Sequence, residues 1–128
     1  RTCLIAYNIV LNSSDILIAK QIATSLRSSS GGLPCVKAIG VNLKTKGKIQ
    51  VSMNLTNFEV TSMHRVFDQV LNEATALKVT IAYSEIIGLV PRKALPSNPA
   101  SSLKLKDFDQ NLIFENYLGK ILEPSNDI

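Results

Sequence analysis

The sequence predicts an α+β domain: a four-stranded antiparallel sheet with its helices on one face and a further helix at the C-terminus. Two side-chain patterns and the order of the predicted elements support this prediction. Residues 48–55 alternate strictly between polar and apolar side chains, as in a strand with one dry face. Residues 63–77 repeat apolar side chains at helical spacing. The predicted elements follow one another as strand, helix, two strands, helix and strand.

A strand and a helix come first along the chain. Residues 3–11 are largely β-branched and aliphatic, which predicts a buried strand whose alternate side chains point to opposite faces. The polar residues 12–15 supply several helix N-caps, and apolar side chains then recur at helical spacing. A helix is expected over residues 15–27, because the serine- and glycine-rich residues 28–32 end the pattern.

A β-hairpin is expected next. Residues 36–44 predict the second strand, residues 45–47 a short turn and residues 48–55 the third strand. In the second strand we expect Ile39, Val41 and Leu43 to face the helices and Ala38, Gly40 and Asn42 to face away. In the third strand we expect Ile49, Val51, Met53 and Leu55 to face the helices and Gln50, Ser52 and Asn54 to face away.

The second helix and the fourth strand complete the predicted sheet. Thr61 or Ser62 can cap the helix over residues 63–77, which has the strongest helical pattern in the chain. Residues 79–90 predict the fourth strand, with Ala82 and Ser84 on the face away from the helices. This element order is that of the ferredoxin-like βαββαβ fold, in which the first and third strands are central.

A C-terminal unit follows the sheet. We expect one ferredoxin-like domain over residues 1–92, then a proline-containing linker and a helix within residues 93–128 that pack on the same domain. The helix itself is predicted over residues 107–122 and is expected to lie across the end of the sheet. The chain starts at Arg1 without an initiator methionine, which is consistent with either a fragment or the trimmed remainder of a longer protein.

Composition excludes several classes of protein. The 128 residues are 45% hydrophobic and 19% charged, which is typical of a single globular domain. No apolar run approaches the roughly 20 residues that cross a bilayer. The net charge of +4 favours small anionic ligands, but no Lys/Arg tract indicates nucleic-acid binding. Two isolated cysteines, Cys3 and Cys35, indicate neither a zinc site nor a disulfide framework, so we expect a reducing cytoplasm and no metal.

The face of the sheet away from the helices is the candidate site. Its amide and hydroxyl side chains can both donate and accept hydrogen bonds, which suits a ligand or a partner surface. An ordinary solvated sheet face is the alternative, and the residues alone leave both open. Domains of this fold that bind RNA stack bases on aromatic side chains of the central strands. No aromatic residue is expected there, which argues against RNA binding.

Three ionisable residues allow two interpretations each. His64, the only histidine, is either an exposed helical side chain or a supporting group of the site. Glu59 either forms a capping box with Thr56 or supports the site. Glu85 interrupts an apolar strand end, so it is expected at the surface or hydrogen-bonded, and a role towards a ligand or an interface is the alternative.

Three segments resemble the C-terminal subdomain of glutamate formiminotransferase. Residues 5–8 read Ile-Ala-Tyr-Asn, residues 50–61 read Gln-Val-Ser-Met-Asn-Leu-Thr-Asn-Phe-Glu-Val-Thr, and residues 84–91 read Ser-Glu-Ile-Ile-Gly-Leu-Val-Pro. The tail over residues 103–118 is similar to bacterial members of the same family. The middle segment is the most specific, and the resemblance covers nearly the whole chain.

The resemblance implies that the whole enzyme transfers a formimino group from N-formimino-L-glutamate to tetrahydrofolate, late in histidine degradation. Folate, a substrate here, would lie between the facing sheets of two similar subdomains. The catalytic histidine would belong to the N-terminal subdomain, so no catalytic residue is assigned in this chain. The residues expected to face folate or substrate are Asn8, Gln50, Ser52, Asn54, Thr56, Ser84 and Glu85. The residues expected to support them are Glu59, His64 and Gly88.

One departure from the family pattern and one alternative function remain. Ala82 and Tyr83 stand where the family more often has a small pair, so Tyr83 either narrows the site or packs. The expected partner is the N-terminal subdomain or a second copy that covers the open sheet face. The alternative function is a stand-alone, non-catalytic module of the same fold that binds a ligand or a protein.

Overall fold

A computed structural model describes residues 4–122, and its four strands form one antiparallel sheet in the order β2-β3-β1-β4. The strands are β1 (Ile5–Leu11), β2 (Val36–Leu43), β3 (Lys48–Leu55) and β4 (Ile81–Ile87). The predicted α+β, ferredoxin-like architecture with β1 and β3 in the centre is therefore confirmed. Cys3 and residues 123–128, which the sequence assigned to the first strand and to the C-terminal unit, lie outside the described residues.

Two capped helices cover one face of the sheet. In α1 (Ile16–Leu26), the Asp15 carboxylate accepts a hydrogen bond from the Leu17 amide at 3.0 Å. In α2 (Met63–Ala76), the Ser62 hydroxyl accepts one from the Arg65 amide at 3.1 Å. Each cap satisfies an amide that the first turn of a helix leaves unpaired. None of the described helices is long and apolar enough to cross a membrane.

The core lies between these helices and the sheet. It consists of the helix-facing side chains of the strands and the apolar stripes of α1 and α2. Among the largest fully buried side chains are Ile5, Tyr7, Ile9, Leu11, Ile22, Leu26, Ile49, Leu55 and Met63. The apolar positions predicted for β3 are all buried, because the helices cover the same set of alternate residues that the pattern distinguished.

The face orientation predicted for β2 is wrong. In the register with β3, Ala38 and Gly40 lie on the same side as Met53 and Val51 and so face α1, whereas Ile39 faces away and is 59% exposed. A Cβ on Gly40 would lie 2.8 Å from the Lys20 backbone nitrogen. Since the backbone of α1 approaches the strand this closely, only the small residues of β2 fit beneath it.

The face orientation predicted for β4 is also wrong at Ser84. Ser84 pairs with Ile9 and therefore lies on the helix-facing side, where it is fully buried. The cause is an irregularity in the pairing: Val10 pairs with Tyr83 but Leu11 pairs with Ile81. The extra residue shifts the alternation of β4 by one position, which a pattern of alternating side chains cannot reveal.

The C-terminal segment extends the edge of the sheet. After the short α3 (Pro99–Ser102), the Lys106 amide donates to the Ser84 carbonyl at 2.8 Å, and the Ser84 amide donates to the Lys104 carbonyl at 2.9 Å. The final helix, α4, spans Phe114–Leu122 rather than the predicted residues 107–122. It begins beside Val90, because the backbone of residues 104–106 pairs with Ser84 in the middle of β4 and that of residues 112–114 pairs with Val90.

Candidate binding site on the open sheet face

The open face is the side of the sheet away from α1 and α2, and its side chains form three rows across the strands. Each row contains one residue from β2, β3, β1 and β4, in that order. The first row is Val41, Gln50, Val10 and Tyr83. The second row is Ile39, Ser52, Asn8 and Glu85. The third row is Lys37, Asn54, Ala6 and Ile87.

The second and third rows enclose a shallow concavity with a cavity volume of about 260 Å³. Asn8, Ser52 and Asn54 lie at its centre, on the two middle strands, and Ile39 and Ile87 lie towards opposite edges. The two isoleucines are each more than half exposed. Such a surface can hold a flat, partly apolar molecule by its sides and hydrogen-bond to it from below, because amide and hydroxyl groups both donate and accept.

The first row is closed over. Lys46, in the turn between β2 and β3, donates from Nζ to the Tyr83 hydroxyl at 3.2 Å, which spans both central strands. The Lys106 ammonium also lies 4.7 Å from the centre of the Tyr83 ring. Tyr83 is therefore in contact with the side chains of both Lys46 and Lys106. The hydrogen bond to Tyr83 raises the pKa of Lys46. Val10 and Gln50 lie in the same row and are buried.

Gln50 lies on the predicted face but is not available to a ligand directly. Its side-chain amide donates to the Ser52 hydroxyl at 2.7 Å. Ser52, in contrast, is only half-buried and lines the concavity. Gln50 thus orients Ser52 from within the covered row, while Ser52, Asn8 and Asn54 are the polar side chains of the central strands that line the concavity.

Ser84 belongs to the core rather than to the open face. Its buried hydroxyl donates a hydrogen bond to the Leu103 carbonyl, which fastens the C-terminal segment to β4. Tyr7 lies on the same side of the sheet, and its buried hydroxyl makes no hydrogen bond of normal geometry among the described residues. Burial raises the pKa of Tyr7, and the neighbouring Ser84 hydroxyl offsets part of that rise.

Glu85 and Thr56 occupy different parts of the candidate site. Glu85 is half-buried on the open face, in the same row as Asn8 and Ser52. Thr56 lies just beyond β3, where its amide donates to the Cys35 carbonyl at 2.9 Å. Of these two, only Glu85 is in a row that lines the concavity.

The residues expected to support the site lie outside the concavity. His64 is 53% exposed on α2 and lies 3.8 Å from Asp68, so it is an exposed helical side chain. In the turn after β3 the Glu59 amide donates to the Asn57 side-chain oxygen at 3.0 Å, and Ser62 caps α2. Glu59 forms an exposed ion pair with Lys93 at 3.5 Å.

Gly88 ends β4 with a left-handed backbone conformation. Its φ of +83° is a left-handed conformation that glycine adopts without strain. It follows Ile87 directly and so ends the strand at the rim of the concavity.

Sequence reasoning missed three residues at the concavity: Lys37, Ile39 and Ile87. The reversed orientation of β2 hid the first two. A signal was present, since the small residues Ala38 and Gly40 match Ala19 and Ala23 on α1, and small residues facing each other indicate close packing of a helix on a strand. Among the described residues, no group of three or more His, Cys, Asp or Glu side chains could hold a metal ion.

Comparison with known proteins identifies the family. The family model described as "Formiminotransferase domain" matches residues 6–115, which include both covering helices and all of the sheet except the first residue of β1. The chain belongs to the formiminotransferase family. The resemblance found in the sequence is therefore confirmed, and the matched region contains every residue that lines the concavity.

Curated members of the formiminotransferase family are similar over most of this chain. A glutamate formimidoyltransferase of Thermoplasma acidophilum is 42% identical over 120 residues, which are 94% of this chain and 40% of the relative. A glutamate formimidoyltransferase of Streptococcus pyogenes is 43% identical over 119 residues, which are 92% of this chain and 40% of the relative. A formimidoyltransferase-cyclodeaminase of Gallus gallus is 42% identical over 101 residues, which cover 74% of this chain and 18% of the relative. The chain thus spans less than half of the length of the relatives it matches.

Proposed function

We propose that this chain is the folate-binding part of a glutamate formimidoyltransferase, which transfers a formimino group from N-formimino-L-glutamate to tetrahydrofolate. The observation that carries the proposal is the concavity in which Asn8, Ser52 and Asn54 lie together on the two central strands. Membership of the formiminotransferase family and the names of the Thermoplasma and Streptococcus relatives support it. In this proposal tetrahydrofolate is a substrate, and no metal takes part.

The chemistry of the open face fits folate. A pterin ring is flat and carries hydrogen-bond donors and acceptors on its edges, which suits amide and hydroxyl groups flanked by aliphatic side chains. Ile39 and Ile87 supply those side chains on either side of the polar centre. The glutamate part of folate is anionic, and Lys37 and Lys46 place positive charge on or beside the same face.

Catalysis requires groups from outside this chain. His64 is the only histidine in the sequence, and it lies on α2, on the other side of the sheet from the concavity. A general acid or base must come within hydrogen-bonding reach of the reacting group. We therefore propose that the catalytic histidine is supplied by the N-terminal subdomain of the whole enzyme, and that the open face is covered by that subdomain or by a second copy.

We also propose the extent of the unit and its setting. Residues 93–128 would form one domain with residues 1–92, which the burial of Leu103 and the pairing of residues 104–106 with Ser84 support. A reducing cytoplasm is proposed because Cys35 is a free thiol in the described part of the chain.

Ligand titration followed by NMR tests the binding role. Tetrahydrofolate added to the isotope-labelled chain should shift the amide signals of β1 and β3 around Asn8, Ser52 and Asn54. Asn54→Ala should weaken binding by about 1–3 kcal/mol, because a polar group of the ligand loses its partner. Asn72→Ala on the exposed side of α2 is the matched control and should bind as the wild type does. Shifts confined to α2 or α4 would contradict the proposal.

Turnover assays test the division of labour between the two parts. The chain alone, with N-formimino-L-glutamate and tetrahydrofolate, should give the same rate as a buffer blank. A chimera in which this chain replaces the matching segment of the Thermoplasma relative should be active. Turnover by the chain alone that survives His64→Ala would contradict the assignment. A folded but inactive chimera that binds no tetrahydrofolate would favour the alternative, a non-catalytic interaction module.

A further inference from the structure

Glu85 is the acidic side chain of the open sheet face. The three rows of that face contain one acidic residue, Glu85, and one basic residue, Lys37. Glu85 pairs with Asn8 across the strands and lies between Tyr83 and Ile87 along β4, on the same face. It is half-buried, whereas most carboxylates of a protein surface extend into water. The face therefore carries one partly covered negative charge beside its polar centre.

The Glu85 carboxylate has no partner among residues 4–122. It accepts no hydrogen bond and forms no ion pair within 4.0 Å in that part of the chain. The two lysines beside Tyr83 are held by Tyr83 instead: Lys46 donates to its hydroxyl at 3.2 Å, and the Lys106 ammonium lies 4.7 Å from its ring centre. The hydrogen bond to Tyr83 is the main cause that raises the pKa of Lys46, and the charge of Glu85 adds to it. Glu85 therefore acts on Lys46 only at a distance, and its oxygens can accept from a ligand.

A ligand that covers the open face removes water from the Glu85 carboxylate. An ionised carboxylate has only acceptors, and covering it is costly unless new hydrogen bonds replace those to water. Two parallel N–H groups on one planar unit match its two oxygens, and such bidentate contacts are stronger than hydrogen bonds between neutral groups. The part of the ligand that covers Glu85 should therefore present two N–H donors side by side.

Both ligands of the proposed reaction carry a planar N–C–N group with such donors. In tetrahydrofolate, the exocyclic amino group and the neighbouring ring N–H of the pterin are attached at one carbon. In N-formimino-L-glutamate, the two nitrogens of the formimino unit share one carbon. Asn8 and Ser52 lie in the same row as Glu85, so a flat group that lies over them brings one edge to the Glu85 carboxylate.

We propose that Glu85 is a specificity-determining residue whose carboxylate holds a planar N–C–N group of the ligand through two parallel hydrogen bonds. This inference rests on the proposed function, since the two ligands of that reaction are the sources of the group. It also predicts what the site rejects. A ligand with an oxygen or a methyl group in place of one nitrogen leaves a carboxylate oxygen without a donor, and an oxygen also repels it.

Two pairs of ligands test the inference and identify the source of the group. The first pair is tetrahydrofolate and its analogue with a methyl group in place of the exocyclic amino group. The second pair is N-formimino-L-glutamate and N-formyl-L-glutamate. In NMR titrations of the labelled chain, the ligand that Glu85 holds should shift the signal of the Glu85 carboxylate carbon. The second member of that pair should bind about ten- to hundredfold more weakly, because a hydrogen bond to a charged group is lost.

A substitution of the same size tests the carboxylate itself. Glu85→Gln sets an N–H donor against an N–H donor, so it should weaken binding of the selected ligand about ten- to hundredfold and abolish the difference within its pair. Asp68→Asn, on the exposed side of α2, removes the same charge and should bind as the wild type does. Urea melts should give the same stability for Glu85→Gln and the wild type, because the carboxylate has no partner to lose within the described residues.

The outcomes separate this inference from the proposed function. Tetrahydrofolate and N-formimino-L-glutamate that bind the wild type and Glu85→Gln equally well would overturn the role of Glu85 and leave folate binding intact. Binding of N-formimino-L-glutamate that depends on Glu85, without any binding of tetrahydrofolate, would support the role of Glu85 and contradict folate binding. No shift of the Glu85 signal with any of the four ligands, in the chain and in the chimera with the Thermoplasma relative, would overturn the inference.

Discussion

Gly40 of β2 lies directly beneath Ala19 of α1. A Cβ at Gly40 would lie 2.9 Å from the carbonyl carbon of Ala19 and 2.8 Å from the backbone nitrogen of Lys20. Both of these atoms belong to the helix backbone, so they cannot move aside as a flexible side chain would. This contact sets the height of α1 above the sheet and decides which residues of β2 face the core.

The glycine contact predicts a large effect for one methyl group. Gly40→Ala should lower the free energy of unfolding by about 1–3 kcal/mol, because the added carbon pushes α1 away from β2. Gly119→Ala is the matched control, since a Cβ at Gly119 meets no atom within 4 Å and alanine favours a helix. The control should leave stability unchanged or raise it by up to about 1 kcal/mol. Urea denaturation measures both, and equal effects would contradict the close packing.

Two neighbouring residues of β3 should behave in opposite ways. Met53 is buried beneath the helices, and Met53→Ala should cost about 2–5 kcal/mol of stability. Asn54 is exposed on the open face, and Asn54→Ala should change stability by no more than about 1 kcal/mol. Denaturant melts of both variants test the register of β3. Unfolding by Asn54→Ala with a stable Met53→Ala would mean that the two faces are reversed.

Substitutions of Ser84 and Ser52 should also differ in their effect on stability, because Ser84 is in the core and Ser52 is on the open face. Ser84→Ala leaves the Leu103 carbonyl without its donor and should cost about 1–3 kcal/mol. Ser52→Ala, at a half-buried position of the concavity, should cost less than about 1 kcal/mol and should weaken tetrahydrofolate binding. Chemical denaturation and ligand titration separate the two effects. Weaker binding in Ser84→Ala without a loss of stability would return Ser84 to the site.

The buried Tyr7 hydroxyl predicts a dependence of stability on alkaline pH. Burial raises the pKa of Tyr7, so above the ordinary tyrosine pKa of about 10 the unfolded chain loses the proton first. The contribution of neutral Tyr7 to stability is fully present below that pH and is lost as the pH rises towards the folded-state pKa. Tyr7→Phe should remove a slope of about 1.4 kcal/mol per pH unit above pH 10.

The experiment is a set of urea melts between neutral pH and about pH 11, the range in which tyrosines titrate. Tyr117→Phe, at an exposed tyrosine of α4, is the matched control and should keep the slope of the wild type. At pH 7, Tyr7→Phe should change the free energy of unfolding little, because the hydroxyl makes no hydrogen bond of normal geometry within the described residues. An unchanged alkaline slope in Tyr7→Phe would show that another group controls it.

The sequence by itself determined the type and order of most elements, because periodicity along the chain reports whether a segment has one apolar side. It identified α1, α2 and the hairpin of β2 and β3, and it placed Asn8, Ser52 and Asn54 on one face of two neighbouring strands. It also carried the resemblance to the formiminotransferase family, since whole segments match it. All of these are properties of short stretches that do not depend on distant neighbours.

Only the tertiary structure decided which side of β2 and β4 faces the helices. Alternation divides a strand into two sets of residues but does not say which set is covered. In β2 the close approach of α1 selects the small residues. In β4 the extra residue Ala82, between the partners of Val10 and Leu11, shifts the alternation, so Ser84 enters the core. Both outcomes depend on atoms far away in the sequence, which is why Ile39 and Ile87 join the site only once the strands are paired.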